Sequence, residues 1–126
     1  MVRDKLRDRA KTLSTEVVRF CPELKKRKVD ESTVRQIWKA GTSVFANVNE
    51  SHSAQGRNDF AAKLQIALKE CRECDGWFEL LYATRYVAQS EYKAFHNLCG
   101  EIGRILSASI RTARENEARE KADKKK

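Results

Sequence analysis

A chain of 126 residues with 40% apolar and 35% charged side chains can build one core, and it is too apolar for general disorder. Its net charge of +8 favours polyanionic partners, and no run approaches the roughly 18 apolar residues that cross a bilayer. The start, MVRDKLRDRAK, alternates charges instead of leading into an apolar signal core, so the expected compartment is the cytoplasm, with no membrane contact.

The first helix is expected over about residues 4–21. Leu6, Ala10, Leu13, Val17, Phe20 and Leu24 recur at spacings of three and four and share one face. Pro22 lacks an amide hydrogen and crowds the preceding turn, so it should end or kink this helix. Lys25, Lys26, Arg27 and Lys28 then form an exposed basic connection, and Asp30 is placed to cap a second helix over 31–51.

That second helix carries an apolar stripe of Val34, Ile37, Gly41, Val44 and Val48. A stripe of Gln36, Ala40, Ser43, Asn47 and Glu50 lies beside it, and its regular spacing suggests a helix–helix contact. HSAQGRN breaks the middle of the chain. Heptad seams follow over 58–84 (Phe60, Leu64, Ala67, Cys71, Cys74, Phe78, Leu81) and 89–117 (Tyr92, Phe95, Cys99, Ile102, Leu106, Ser109, Ala113). Trp38, Phe45 and Trp77 lie off the seams and either widen the core or face another subunit. The fold class is all-α, an antiparallel up-and-down four-helix bundle over residues 1–117, with 118–126 as a basic tail.

Candidate chemistry is sparse. Cys71 and Cys74 form C-x-x-C on an apolar seam, and neither a second close pair nor histidines at ligand spacing accompany them. They therefore read as small core side chains, with no metal or cofactor. His52 and His96 belong to no recognisable motif, and Asp75 with Glu79 reads as a solvated pair. No catalytic constellation emerges, and the chain reads as a non-enzyme.

The basic residues say more. Residues 1–28 hold ten basic and four acidic side chains, 29–103 eight and ten, and 104–126 eight and four. Both termini of an even-numbered bundle lie at one end, where these excesses can merge. Arg3, Arg7, Lys11, Lys25, Lys26, Arg27, Lys28, Arg104, Arg111 and Arg114 are therefore the candidate phosphate contacts of a structured RNA or DNA ligand. Lysine that serves only solubility is the alternative.

The segment QIWKAGTSVFANVNES, Gln36 to Ser51, resembles the signature of the bacterial four-helix-bundle proteins encoded in intervening sequences of 23S ribosomal RNA genes. Gln36, Ala40, Ser43, Val44, Ala46, Asn47, Val48 and Glu50 carry the match. Asp59, Phe60, Leu64, Ile66, Ala67, Arg72 and Glu73 extend it in register. Phe45, Ser51 and Gly56 depart from it, standing where Pro, Gly and a capping Ser are usual. Glu101, Ile102, Gly103, Arg104, Ile105 and Leu106 are similar to the last helix of a related group, the accessory variability proteins of diversity-generating retroelements. The resemblance implies a homopentameric ring and a basic RNA-binding surface, with a reverse transcriptase as the partner that supplies the chemistry. For the ribosomal group it implies a structural or interaction bundle.

Overall fold

The computed structural model describes residues 2–54 and 56–125, and the side chains of all of these except residues 2–4, 57 and 58. Four helices follow one another, α1 (Val2–Lys26), α2 (Glu31–Ser51), α3 (Arg57–Ala83) and α4 (Gln89–Lys124), and no strand occurs among the described residues. Neighbours in sequence pack side by side, and α4 returns to α1 in the slightest of the four contacts. The helices thus form a square whose α1–α2 and α3–α4 faces lie opposite each other. The core is the union of the four seams: Leu13, Val17, Leu24, Ile37, Val44, Leu64, Phe78, Ile102 and Leu106 are each fully buried. None of the described helices is long and apolar enough to cross a membrane.

Helix starts obey local chemistry. The Asp30 carboxylate accepts from the Ser32 N–H at 3.1 Å and caps α2, and hydrogen bonds from Ser32 hold its pKa below the ordinary carboxylate value. At α4 the cap position is Ala88, whose N–H donates to Glu91 Oε1 at 2.7 Å. Gly56 precedes α3 with φ +100° and no side-chain cap.

Pro22 does not end α1. The helix runs on to Lys26, with Pro22 exposed and Leu24 fully buried one turn past the expected stop. An interior proline costs about 3 kcal/mol. Burying Leu24 and Val29 returns on the order of 2 kcal/mol each, and the Arg27 contacts described below add to that. Termination comes instead from a left-handed residue. Lys28 has φ +67°, its N–H donates to Lys25 O, and Val29 N–H donates to Leu24 O. α3 ends in the same way at Arg85, also φ +67°, with Arg85 N–H on Tyr82 O and Tyr86 N–H on Leu81 O. α4 continues helically through residue 117 to Lys124, while its burial ends at Ala113, where the seam fades.

The polar stripe on α2 divides. Ala40 is buried and Ser43 and Asn47 are half-buried; Gln36 is exposed, and Glu50 reaches Lys63 of α3 at 3.1 Å. Of the aromatics off the seams, Phe45 and Trp77 pack against the core and Trp38 is exposed.

α1 and α2 approach closely at Gly41, where an added Cβ would lie 2.6 Å from Val17 Cγ1. Ser14 bridges the same contact, donating to Gly41 O at 2.6 Å and accepting from Phe45 N–H at 3.3 Å. Gly41→Ala should therefore destabilise the bundle by about 1–3 kcal/mol, because Val17 is buried and cannot withdraw. Lys28→Gly should stabilise it by roughly 1 kcal/mol by relieving the left-handed backbone. Urea denaturation checks both signs, and a neutral Gly41→Ala would show that the helices stand further apart.

Candidate nucleic-acid interface

Ion pairs orient the basic residues before any ligand does. Arg9 of α1 meets Glu101 of α4 at 3.0 Å, and Arg27 meets Glu91 at 2.8 Å where α1 ends and α4 begins. Lys25–Lys28 therefore lie at the opposite end of the bundle from Arg7, Lys11 and the C-terminal part of α4. At about 1.5 Å rise per residue, roughly 28 Å of helix separates Arg7 from Lys26. The basic excess of residues 1–28 is split between two ends, and only its N-terminal share lies at the end of residues 104–126. Arg3 has its side chain outside the described residues.

Several candidates serve the fold. Arg27 grips both Glu91 oxygens at 2.8 Å, donates to Tyr86 O at 3.0 Å and to Glu23 at 3.2 Å, and covers the Phe20 ring. Its fork is spent on holding α1 to the start of α4. The bidentate hydrogen bond from Arg27 pulls the Glu91 carboxyl down to about 2. Arg7 donates to Asn49 Oδ1 at 3.3 Å and lies 5.2 Å from the Phe45 centroid, which draws it onto the α1–α2 face. Arg114 donates to Gln65 at 3.1 Å and to Glu117 at 3.4 Å. Lys11, Lys25, Lys26 and Lys28 are exposed, and no ion pair engages them among the described residues.

Arg104 and Arg111 stand apart. Both line a groove of about 480 Å³ along the α3–α4 face, joined there by Arg72, whose part in a site the sequence reading missed. All three guanidinium groups are exposed, and none has an ion partner among the described residues. The groove exists because its floor is small: Gly100, Gly103 and Ser107 on α4 face Cys71 and Leu68 on α3. The Arg104 guanidinium lies over Gly100, where an added Cβ would meet Nη1 at 3.4 Å. Arg72 follows a seam residue directly, so its partners emerge only from the antiparallel register that sets Cys71 Sγ 3.4 Å from Cys99 O.

One carboxylate, Asp75, also lines the groove, and it is not a solvated partner of Glu79. It is half-buried, 2.9 Å from Nδ1 of His96. His96 in turn stacks on Tyr92 at 5.3 Å, and Tyr92 on Tyr82 at 5.2 Å. The thiols beneath are buried and free. The hydrogen bond to Cys99, and then burial, raise the Cys71 thiol far above its ordinary value, and burial raises Cys21. A thiol kept protonated is a poor nucleophile. Among the described residues no group of three or more His, Cys, Asp or Glu is placed to hold a metal ion.

A family model described as 23S rRNA-intervening sequence protein matches residues 4–108. A solved structure of a protein with unknown function from the S23 ribosomal protein family of Bacteroides thetaiotaomicron is similar at 33% identity. The match covers 88% of this chain and 99% of that one, with a TM-score of 0.84. No curated protein matches the chain.

The Arg27–Glu91 clamp predicts a pH signature. Its contribution is complete above the ordinary Glu value of 4.5 and is lost as pH falls through about 2, since protonation of the folded carboxyl breaks the pair. Glu91→Gln should cost roughly 1–2 kcal/mol at neutral pH, and the gap to wild type should close between 4.5 and 2. Denaturation curves across that range test it. A gap that persists at the acid end would mean the carboxylate charge is not what holds α4.

Proposed function

This chain belongs to the 23S rRNA-intervening sequence protein family, and we propose that it is a non-enzymatic basic protein that binds RNA along its α3–α4 face. The observation that carries the reading is the groove of Arg72, Arg104 and Arg111, three guanidinium groups without an ion partner among the described residues, around a floor of small residues. Guanidinium forks match phosphate oxygens and stay charged at any physiological pH. An intramolecular salt bridge is the usual fate of an arginine near a helix contact, and Arg9 and Arg27 of this chain follow it. Leaving three on one face without an ion partner keeps their charge available to a polyanion. The lysines at the far end of the bundle add diffuse attraction, which raises encounter rates without fixing orientation.

In this reading the chain contributes binding and positioning, and a second component carries out any reaction. The similarity of Glu101–Leu106 to the retroelement accessory proteins nominates a reverse transcriptase for that part. A homopentameric ring would repeat the arginine groove and sum weak phosphate contacts into useful affinity. Trp38, Ile66 and Leu80, large apolar side chains left exposed on α2 and α3, suit burial between subunits. Sedimentation equilibrium should give five times the 14.5 kDa chain mass, and a single-chain mass would remove the ring.

RNA titrations over a range of salt test the function. Affinity should fall steeply with salt. Neutralising Arg72, Arg104 and Arg111 to Gln should shallow the log–log slope by about 0.7 per lost phosphate contact, roughly 2 in all. A Lys25, Lys26, Lys28 to Gln variant should change the slope less. Absence of binding by the intact protein at low salt would favour a purely structural bundle.

A further inference from the structure

The arginine groove does not end at Asp75. From Arg111 the α3–α4 face passes Arg104 and Arg72, then the Asp75–His96 pair, and continues into the stacked rings of His96, Tyr92 and Tyr82. The Tyr82 and Tyr92 planes are within 4° of parallel, and Tyr82 remains 38% exposed. Residues 92, 96, 100, 103, 107 and 111 recur at spacings of three and four, so one flank of α4 carries the whole series. At about 1.5 Å per residue it is roughly 28 Å long. Beyond Tyr82, Arg85 and Tyr86 line a further hollow at the end of α3.

We infer that this face is a track for a single, unpaired RNA strand, with phosphates on the arginine segment and bases stacked on the Tyr82 end. The inference rests on the RNA reading above and adds which form of RNA is bound. Exposed aromatic planes beside a cationic groove suit unpaired bases, whose faces are open for stacking. A duplex keeps its bases stacked on one another and offers tyrosine rings no open base face along its length. The charge order along the face agrees. Asp75 and Glu79 act on Tyr92 and make the aromatic segment unattractive to phosphate, whereas base amino groups are donors a carboxylate accepts. Cations return at Arg85, so the aromatic segment has positive charge on both sides.

Fluorescence anisotropy with four probes tests this on the intact protein: a short single-stranded RNA, the same sequence as a duplex, an abasic strand of equal charge, and the corresponding mononucleotides. The single strand should bind tightest. Tyr82→Ala should weaken it by roughly 5- to 100-fold while leaving the abasic strand unchanged, and Tyr82→Phe should retain binding. Equal affinity for the single-stranded and abasic probes, with Tyr82→Ala silent, overturns the stacking track and leaves salt-dependent phosphate binding standing. Duplex binding as tight as single strand also overturns it, as do mononucleotides that bind as tightly as the strand. If no probe binds at low salt, both the track and the RNA reading fall.

Discussion

The small side chains between α3 and α4 set the position of everything on the outer face. Cys71, Cys74 and Cys99 occupy seam positions where a leucine would add volume, and Gly100, Gly103 and Ser107 leave the α4 flank without bulk. Two helices that approach over small residues leave a shallow trough outside their line of contact, and long side chains rooted beside it must lie along or across the trough. Arg72, Arg104 and Arg111 do so. The thiols thus act by their size, and their reactivity is suppressed by burial and by their mutual hydrogen bonding.

The opposite seam works differently. α1 and α4 make the slightest contact of the bundle, and polar groups hold much of it: Arg9 on Glu101, and Arg27 on Glu91 where α4 begins. Between them Phe20 sits 5.5 Å from Phe95, which itself stacks on Phe78 at 3.9 Å. A seam closed by forks and rings needs fixed geometry, so its arginines are committed within the chain. The α3–α4 seam closes mainly by apolar packing, with Asp75–His96 and Arg114–Gln65 as polar links, and leaves Arg72, Arg104 and Arg111 without an ion partner among the described residues. Similar residues therefore play structural parts on one side of the molecule and face solvent on the other.

The helices were readable because each seam repeats at helical spacing, and most residues named on those seams are buried, with Phe20, Phe60 and Tyr92 partly buried against the core and Ser109 half-buried. Of the two expectations at Pro22, an end or a kink, the end is overturned for a specific reason. Local preference argues for a stop there, while the burial of Leu24 and Val29 and the grip of Arg27 on α4 are non-local terms that outweigh it. The basic surface was legible as composition and not as geometry. Lys25–Lys28 and Arg7 are near in sequence, yet a helix of 25 residues carries them to opposite ends. Asp75 and His96 looked inert as separate residues and become a pair only across the α3–α4 contact.

The sequence by itself determined four amphipathic helices, their seams, the core position of the seam thiols and the cationic balance, because periodicity, side-chain size and charge are properties of the chain taken locally. Tertiary structure alone decided which arginines are neutralised by a carboxylate and which remain open, because that depends on the register between antiparallel helices. A shift of one turn there would move Arg72 away from Arg104 while leaving every local preference unchanged.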